Sequence, residues 1–516
     1  MKKTYLVFIL LFIRINNICS IEGWSVDRVL VSGEPKCWMG DMAANGNVIH
    51  VVYSATLTGT MEGYEIFYMK SNDGGDTWGP QVRLTNSYGD SGGVVIEVSG
   101  SDVHVAWEDS REGGKTYIYY KHSLDGGNTW SEDKKIPTSY DLLGVGRGDL
   151  AIAAENNNVY IVCQEFMDPD MDIYFFKSTD RGNTFSPEVR LTNDPNVSAF
   201  PVLVAKNGYV HVFWHDGRDG PSEIYYKRSL DNGNTWGPDI RLTNSGKHSE
   251  RPKVAIDRYG NIHLVYFTRV IGTYVNDELW YTKSFDNGTT WQSPVLLTKL
   301  SGVVVGGECA VKKDSKDNIC IIFDDAGKVD DTLNVELFFK SSSDNGNTWS
   351  ENIRLTYNIG DSYISGMSVT DKGVNIIWYD TSTSPPQIRY KRRSVIDGAF
   401  SEESKSYLEI YPNPCSLSEG KKVKILYKSP SFSNESFPLY MKIYTISGEL
   451  VKTLINGEEK PTGWVYNTEW DGKNDLGELV ARGLYLIHYY SPVVGSRDSF
   501  IRESFDVNEV KKLVIK

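Results

Sequence analysis

The sequence predicts an all-β protein, a β-propeller followed by a small β-sandwich. The first observation is an eight-residue motif, Ser-x-Asp-x-Gly-x-Thr-Trp/Phe, which occurs six times with starts 51 to 58 residues apart. The second is that each copy follows a run rich in Ile, Tyr and Phe, such as "YIYYKHS", and precedes a further short run, typically "VRLT". Such runs are typical of buried strands, and their even spacing indicates a repeat architecture.

The eight-residue motif is predicted to be a hairpin turn between the third and fourth strands of each repeat. Its Asp can accept hydrogen bonds from the backbone amides of its own turn, and its Gly supplies a positive φ. The hydroxyls tie the turn to the backbone, and the terminal aromatic residue packs on the core. The motif is therefore predicted to be a folding element and not a binding site. Its six structural aspartates are Asp73, Asp125, Asp180, Asp231, Asp286 and Asp344.

Two further strands complete each repeat, and they indicate seven blades, with six as the alternative. The second-strand run, of which "VHVAW" is one copy, occurs seven times, and the third-strand run recurs a seventh time as "QIRYKRR". Four strands in each of several radial repeats leave few exposed strand edges. The segment Trp24–Val31 has the Trp and the apolar pair of a fourth strand, but no motif precedes it. We expect it to close the ring by pairing with Gln387–Arg393.

The six turns are identified as Asp boxes, and residues 22–400 resemble the sialidase-like, or bacterial neuraminidase repeat (BNR), β-propellers. In that family the Asp boxes lie on the face away from the active site. The resemblance implies a glycan or glycoconjugate as ligand. It also implies, for an enzyme, an exo-α-sialidase in which three arginines hold the substrate carboxylate and a Tyr is the nucleophile. Sialidases of the family have six blades and commonly carry an Arg-Ile-Pro motif, which this sequence lacks.

The repeat pattern ends near Ser404, and residues 404–516 are predicted to form a small β-sandwich. Strand-like runs such as "MKIYTISGELVKTL" alternate there with Gly-rich turns. The segment resembles the Ig-like module of flagellar hook-capping proteins and the C-terminal sorting domains of type IX secretion. The residues that carry this resemblance are Pro412-Asn413-Pro414, Trp470-Asp471-Gly472, Gly483-Leu484-Tyr485 and the final "VKKLVIK". It implies export machinery as a partner of this domain.

The N-terminus is typical of an export signal, because Lys2 and Lys3 precede the apolar run Tyr5–Ile13. We therefore predict a signal peptide at residues 1–20, a propeller at 21–403 and the C-terminal domain at 404–516. The apolar run is too short to span a membrane, and no transmembrane segment is predicted after signal removal. The formal net charge of −13 argues against a nucleic-acid partner. The expected location is secreted or at the cell surface.

Polar residues at the rim opposite the Asp boxes are the candidate ligand-binding residues. They are Asp109, Arg111, Arg147, Asp149, Asp216, Arg218 and Arg251. Guanidinium groups match carboxylates in bidentate fashion, but the same Asp/Arg pairs would equally brace a loop. Further acids in these loops are Glu165, Asp168, Asp170, Asp172, Glu250, Glu308, Asp324, Asp325 and Asp380. No metal and no cofactor is predicted, and no catalytic residue is assigned.

Four histidines share one position of the second strand, with one in each of four blades. They are His50, His104, His211 and His263. Metal ligands must converge on one point, whereas these side chains are distributed around the ring. We therefore predict that they are structural.

Three functions are consistent with these patterns. The leading one is an exported propeller that recognises glycans, since the motif for binding a substrate carboxylate is absent. The first alternative is an exo-α-sialidase or related glycoside hydrolase with a diverged site. The second is a surface scaffold for protein partners, a role that repeat propellers also serve.

Overall fold

The structure, a computed structural model, describes residues 24–515 except for 26, 32–36, 57–62, 114, 139–149, 168–169, 270–276, 301–308, 314–317, 326–333, 358–359, 395–406, 412–421, 429–435, 462–464 and 492–506. The described residues form strands and turns, with no helix among them, so the predicted all-β class is confirmed. Accordingly, no helix in these ranges is long and apolar enough to cross a membrane. The chain divides into two compact units, one formed by Trp24–Val395 and one that includes Ile396–Lys516. The predicted signal peptide and the predicted boundary at 403/404 lie outside the described residues.

The first unit consists of four-stranded antiparallel sheets. Its strands are β1 (Arg28–Val31), β2 (Cys37–Asn45), β3 (Val48–Thr56), β4 (Tyr64–Ser71), β5 (Val82–Arg83), β6 (Ser91–Ser99), β7 (Asp102–Glu112), β8 (Lys115–Ser123), β9 (Lys134–Lys135), β10 (Leu150–Glu155), β11 (Asn158–Met167), β12 (Asp170–Ser178), β13 (Val189–Arg190), β14 (Ser198–Lys206), β15 (Tyr209–Asp216), β16 (Glu223–Ser229), β17 (Ile240–Arg241), β18 (His248–Ile256), β19 (Ile262–Arg269), β20 (Glu278–Ser284), β21 (Val295–Lys299), β22 (Cys309–Lys313), β23 (Ile319–Asp325), β24 (Glu336–Ser342), β25 (Ile353–Arg354), β26 (Ser362–Thr370), β27 (Gly373–Asp380) and β28 (Gln387–Ser394).

Within the described ranges these strands form seven sheets, which we number as blades 1 to 7. Blades 1 to 6 are β2–β5, β6–β9, β10–β13, β14–β17, β18–β21 and β22–β25, and blade 7 is β26–β28 with β1. The first strands of successive blades are neighbours, and the first strand of blade 7 lies beside that of blade 1. The sheets therefore surround an axis, as in a β-propeller.

The N-terminal segment completes blade 7. Val29 pairs with Arg389 of β28, and Trp24 forms a bridge with Arg393, so the predicted pairing is confirmed. Trp24 is 3% exposed, and its ring lies 5.3 Å from that of Phe339 in blade 6. It stands where an Asp-box aromatic residue stands in the other blades. Joining the two ends of the unit in one sheet removes an open strand edge.

The core of the first unit lies between adjacent blades. Between blades 1 and 2, for example, Val52 and Tyr68 share a cluster with Val105 and Trp107, and none of the four is more than 1% exposed. Each fully buried large apolar side chain contributes about 1.5–3 kcal/mol. Because both faces of the second strand contact neighbouring blades, its sequence is apolar on both faces, and this explains the continuous apolar runs.

The Asp box has the predicted turn geometry. In blade 2, Ser123 Oγ donates to Asp125 Oδ1 (2.7 Å) and accepts from the Gly127 amide (2.8 Å). The backbone amide and the hydroxyl of Thr129 both donate to the Asp125 carboxylate, at 2.9 and 2.7 Å. These hydrogen bonds, first those from Thr129, lower the pKa of Asp125. The turn lies beside the hairpin between the first two strands, because the Gly126 amide donates to the Ser101 carbonyl (2.9 Å). We call this end of the blades the Asp-box end.

Each box also joins its blade to the preceding one. Trp130 packs edge-on against Tyr68 of blade 1, with ring centroids 4.9 Å apart. A Cβ at Gly127, whose φ is +79°, would lie 1.9 Å from the Tyr68 hydroxyl, so only glycine fits there. The Tyr68 hydroxyl in turn forms a hydrogen bond with His50 Nδ1 (2.7 Å). Lys70 Nζ donates to the Gly126 carbonyl at 2.9 Å.

The contact between blades recurs around the ring. The ring pairs that correspond to Tyr68 and Trp130 are Tyr120–Phe185, Phe175–Trp236, Tyr226–Trp291, Tyr281–Trp349 and Tyr390–Trp78. His104, His211 and His263 hydrogen-bond through Nδ1 to the hydroxyls of Tyr120, Tyr226 and Tyr281. The prediction that the four histidines are structural is confirmed by these contacts.

Alanine at Asp180 is expected to lower the free energy of unfolding by about 1 kcal/mol, because the box loses hydrogen bonds to Ser178 and Thr184. Asp125→Ala and Asp231→Ala should change stability in the same direction. Ligand affinity per folded molecule should stay unchanged, since the boxes lie at the end away from the cavity mouth described below. Urea unfolding measures the stability, and titration with a glycan, the ligand class that the Asp-box resemblance implies, measures the affinity. A large loss of affinity in a fully folded variant would contradict the structural role.

The described residues of the C-terminal unit form two sheets around one core. Its strands are β29 (Tyr407–Tyr411), β30 (Val423–Lys428), β31 (Ser436–Thr445), β32 (Leu450–Pro461), β33 (Val465–Trp470), β34 (Gly483–Ser491) and β35 (Val507–Ile515). The sheets have the orders β29-β30-β33 and β32-β31-β34-β35. Alternate residues Leu439, Met441 and Ile443 of β31 share a buried cluster with Ile425 and Trp470 of the other sheet. The likeness to hook-capping and type IX sorting modules stays a prediction.

Candidate functional site

The first strands of the blades line a cavity of about 460 Å³ along the axis, and all seven contribute to its wall. A second cavity of about 510 Å³ shares Glu97, Leu203, Val204, Lys312 and Val369 with the first. The second cavity reaches Lys206, the last residue of β14, and Arg258, in the turn between β18 and β19, and both lie at the Asp-box end. The first cavity therefore opens at the opposite end, and we call that opening the mouth.

The mouth is shaped by β-bulges near the start of the first strands. The register shifts between Trp38 and Gly40, between Ala199 and Val202, and between Glu250 and Lys253. Blades 2 and 7 have the same shift, between Gly92 and Val95 and between Ile364 and Gly366. Bulges redirect side chains and are frequent beside functional sites.

Two large residues at these bulges have left-handed backbone. Phe200 and Arg251 both have φ of +54°, and Gly93 occupies the equivalent place in blade 2 with φ of +56°. Each of the two large residues precedes a proline, Pro201 or Pro252, which a bulge tolerates because ladder pairing is interrupted there. A non-glycine residue in this region costs on the order of 1–3 kcal/mol, and such strain clusters at functional sites. Both side chains line the axial cavity.

The backbone and ring of Phe200 are held by blades 3 and 4. Gln164 Oε1 accepts the Phe200 N–H at 2.7 Å, and the His215 ring lies 5.1 Å from the Phe200 ring. The Arg251 guanidinium lies 5.3 Å from the same ring centroid, which is cation–π distance. Burial, and then the charge of Arg251, lowers the pKa of His215 to about 4, so its imidazole is neutral at pH 7.

Trp38 stands on the opposite side of the mouth, since blade 1 is three blades away from both blade 4 and blade 5. It is 45% exposed, lines the cavity, and lies 5.5 Å from the Tyr379 ring. Two aromatic surfaces and a guanidinium thus surround one opening.

Carboxyl groups lie deeper in the same cavity. Asp41 accepts the backbone amides of Met42 (2.7 Å) and Ile96 (3.1 Å). Burial raises the pKa of Asp41 to about 6, although these amides and Lys312 act in the opposite direction. Burial also raises the pKa of Glu97. In the described part of the chain, no three His, Cys, Asp or Glu residues are grouped so as to hold a metal ion.

The predicted pair Asp109 and Arg111 forms a brace in blade 2. Arg111 Nε and Nη2 donate to the Asp109 carboxylate at 2.8 and 2.6 Å, and Nη1 donates to Asp133 at 2.8 Å. The guanidinium lies 4.1 Å from the Tyr119 ring centroid. Asp109 is fully buried and also accepts from Trp107 Nε1 (2.8 Å). Neither residue of the pair is among the described residues that line the axial cavity.

The pair Asp216 and Arg218 repeats this geometry in blade 4. Arg218 donates to Asp216 at 2.8 and 2.6 Å and to Asp239 at 2.9 Å, and its guanidinium lies 4.5 Å from the Tyr225 ring centroid. Neither Asp216 nor Arg218 is among the described residues that line the axial cavity. The structure therefore places both Asp/Arg pairs in the brace arrangement, which the sequence had left as one of two interpretations.

The other predicted residues have separate positions. Arg251 lies at the mouth, whereas Arg147, Asp149, Asp168 and Glu308 lie outside the described residues. Glu250 approaches His248 (3.7 Å) and Arg269 (3.9 Å). Asp172 and Asp380 form ion pairs with Arg190 and Arg389. Sequence reasoning missed Trp38, Phe200 and His215, and the only local signal was the Phe-Pro and Arg-Pro steps early in two first strands.

No protein-family model matches the chain, and no curated protein is significantly similar in sequence. Among solved structures, a protein of unknown function from Dyadobacter fermentans is 14% identical, with 72% of this chain and 99% of that chain covered and a TM-score of 0.46. A GH93 α-L-arabinofuranosidase of Fusarium graminearum is 14% identical (59% and 93% covered, TM-score 0.42). Hadza microbial sialidase Hz136 is 16% identical (70% and 66% covered, TM-score 0.39). Similarities at this level carry no argument about function.

Proposed function

We propose that this protein recognises glycans and that the ligand occupies the mouth of the axial cavity. The observation that carries the proposal is that Phe200 and Arg251, both in strained left-handed conformation, line that cavity opposite the exposed Trp38. The C–H face of a sugar ring complements the negative face of an aromatic ring, and guanidinium N–H groups donate to sugar hydroxyls or carboxylates. The resemblance of the Asp boxes to those of sialidase-like propellers supports the same ligand class.

The proposal includes export to the cell surface or the medium. It rests on the basic and apolar pattern of residues 1–20 and on the likeness of residues 404–516 to sorting domains. Fractionation of cells that produce the full-length chain tests it. Recovery of the protein only from the cytoplasm would contradict export.

Glycine at Phe200 is expected to reduce glycan affinity at least tenfold, because the mouth loses one aromatic surface. The free energy of unfolding should fall by no more than about 1 kcal/mol, since glycine relieves the strain at positive φ. Binding is measured on a glycan array and then by titration calorimetry with the best glycan. Phe285→Ala is the matched control, since Phe285 is 49% exposed but belongs to an Asp box. Wild-type affinity in Phe200→Gly would contradict the proposed site.

A glycoside hydrolase is the second candidate, and Asp41 favours it. This carboxyl lines the cavity, and burial raises its pKa to about 6, which suits a general acid. Hydrolysis of a fluorogenic sialoside or arabinoside by the purified protein, abolished in Asp41→Asn, would establish an enzyme. A protein scaffold is favoured instead if the array shows no binding while pull-down returns specific protein partners.

A further inference from the structure

Two turns of the C-terminal unit repeat one another in sequence and in hydrogen bonding. Residues 445–451 read "TISGELV" and residues 474–480 read "NDLGELV", so both end in Gly-Glu-Leu-Val. In the first turn the Thr445 amide donates to the Glu449 carbonyl (2.9 Å), and the Glu449 amide donates to Thr445 Oγ1 (3.1 Å). The first and fifth residues of the second turn form the same two bonds, at 2.9 Å each. The glycine of each turn has a positive φ, +88° and +82°.

The two turns are joined to each other and to the core of the unit. The Asp475 amide donates to the Val451 carbonyl at 3.0 Å, and Lys452 Nζ lies 3.4 Å from Asp475 Oδ1. The valine that ends each turn, Val451 or Val480, packs against the buried cluster between the two sheets. Each valine thus holds its turn in place, and the leucine before it is directed to solvent.

Four large apolar side chains at these turns are exposed. They are Ile446, Leu450, Leu476 and Leu479, with exposed fractions between 52% and 84%. Among the described residues of the C-terminal unit, they are all of the large apolar side chains that are exposed. Single exposed apolar residues are normal, whereas a group of them in one place marks an interaction surface. We call these four residues the turn patch.

Charged side chains of both signs surround the turn patch. Glu449 and Glu478 belong to the turns, Lys473 directly precedes the second turn, and Arg482 follows it, and all four are exposed. The whole chain has a formal net charge of −13, so two copies repel each other on average. At the turn patch, in contrast, an acid of one copy can lie opposite a base of another. The surface is therefore complementary to itself in charge.

We propose that the turn patch binds the turn patch of a second copy of this chain. In a twofold dimer the same surface is used on both sides, and the first turn of each copy would lie against the second turn of the other. The repetition of the turns fits this arrangement, because each side then offers the same Glu-Leu pair. Dimerisation goes beyond glycan recognition, since it concerns the C-terminal unit. One consequence rests on the proposed function: a dimer carries two cavity mouths and gains avidity for a surface with repeated glycans.

Sedimentation velocity of the purified full-length protein between about 1 and 100 µM tests the proposal, since this range covers a weak dimer. We expect the wild type to change from monomer to dimer as its concentration rises. The double variant Leu450→Ser/Leu479→Ser should have a dimer Kd at least tenfold higher. Leu230→Ser is the matched control, because Leu230 is 61% exposed but lies in an Asp box of the propeller. It should associate like the wild type.

A second variant, Lys473→Glu/Arg482→Glu, leaves the turn patch intact and removes the bases beside it. It should also weaken the dimer, and more at low than at high salt, because salt screens the repulsion between acids. A wild type that stays monomeric would overturn the proposal, even if such a monomer bound a different protein through these leucines. Wild-type association in the leucine variant would overturn it as well. Should the leucine variant not fold, the charge variant decides in the same way.

Discussion

Glutamine at position 165 is expected to raise the free energy of unfolding at pH 8.5 by several kcal/mol, with about 5 kcal/mol as the upper bound. The Glu165 carboxyl is fully buried, and burial together with Glu188 raises its pKa from 4.5 to about 8. The unfolded chain therefore releases this proton at a lower pH than the folded chain. The contribution of the protonated Glu165 carboxyl to the free energy of unfolding is fully present below pH 4.5. It is lost as the pH rises to about 8.

The measurement is urea unfolding of the wild type and Glu165→Gln between pH 4.5 and pH 8.5. The two proteins should unfold at similar urea concentrations at the acidic end and diverge steadily above it. Asp216→Asn is the matched control at the same strand position. It should lower the free energy of unfolding, whereas Glu165→Gln should raise it. Although burial acts against it, hydrogen bonds from Arg218 lower the pKa of Asp216, so the ionised form stabilises the folded state above pH 4. A constant separation between the wild type and Glu165→Gln at every pH would show that Glu165 is not the titrating group.

The substitution Arg218→Met is expected to lower the free energy of unfolding at pH 7 by about 3–5 kcal/mol. The side chain of Asp216 is 0% exposed and would lose the guanidinium that compensates its charge. Affinity for the glycan ligand proposed above should stay unchanged per folded molecule, since the pair lies away from the described wall of the cavity.

Urea unfolding and calorimetric titration measure these two effects. Lys372→Met is the control, because it removes an ion pair with Asp76 in which both side chains are 41% exposed. Such a surface pair contributes about 1 kcal/mol or less. A variant at Arg218 that unfolds like the wild type but has lost glycan affinity would make Arg218 a ligand-binding residue after all.

The fold could be predicted from the sequence because its main determinants are local. An Asp box contains the donor, acceptor and glycine of its turn within eight residues, as Ser123–Trp130 shows. Ring closure was also predictable, since Trp24–Val31 has the pattern of a fourth strand without a box before it. The histidines followed from their repetition, although the tyrosine hydroxyl that each contacts lies 15 to 18 residues further along the chain.

The candidate site could be predicted from the sequence only in part, because it depends on contacts between residues that are far apart in the sequence. Whether Arg111 braces or binds was open in the sequence, since its second carboxylate, Asp133, follows 22 residues later. Trp38 and Phe200 were missed because apolar residues near strand ends normally enter the core. Their exposure to the cavity results from β-bulges, which no residue type specifies alone. Arg251 was found because its charge makes it conspicuous in the sequence, although it lies in β18 and not in a loop.

Closure of the ring has a consequence for how the chain is made. β1 pairs with β28, so more than 350 residues separate the partners Val29 and Arg389. During synthesis the N-terminal strand emerges first and must remain without its partner until nearly the whole unit has followed. Pairings of such long sequence separation form slowly. A nascent chain with an open sheet edge is also exposed to aggregation throughout that interval. Molecular chaperones that cover β1 until β28 has been made would thus act at the point of greatest kinetic risk.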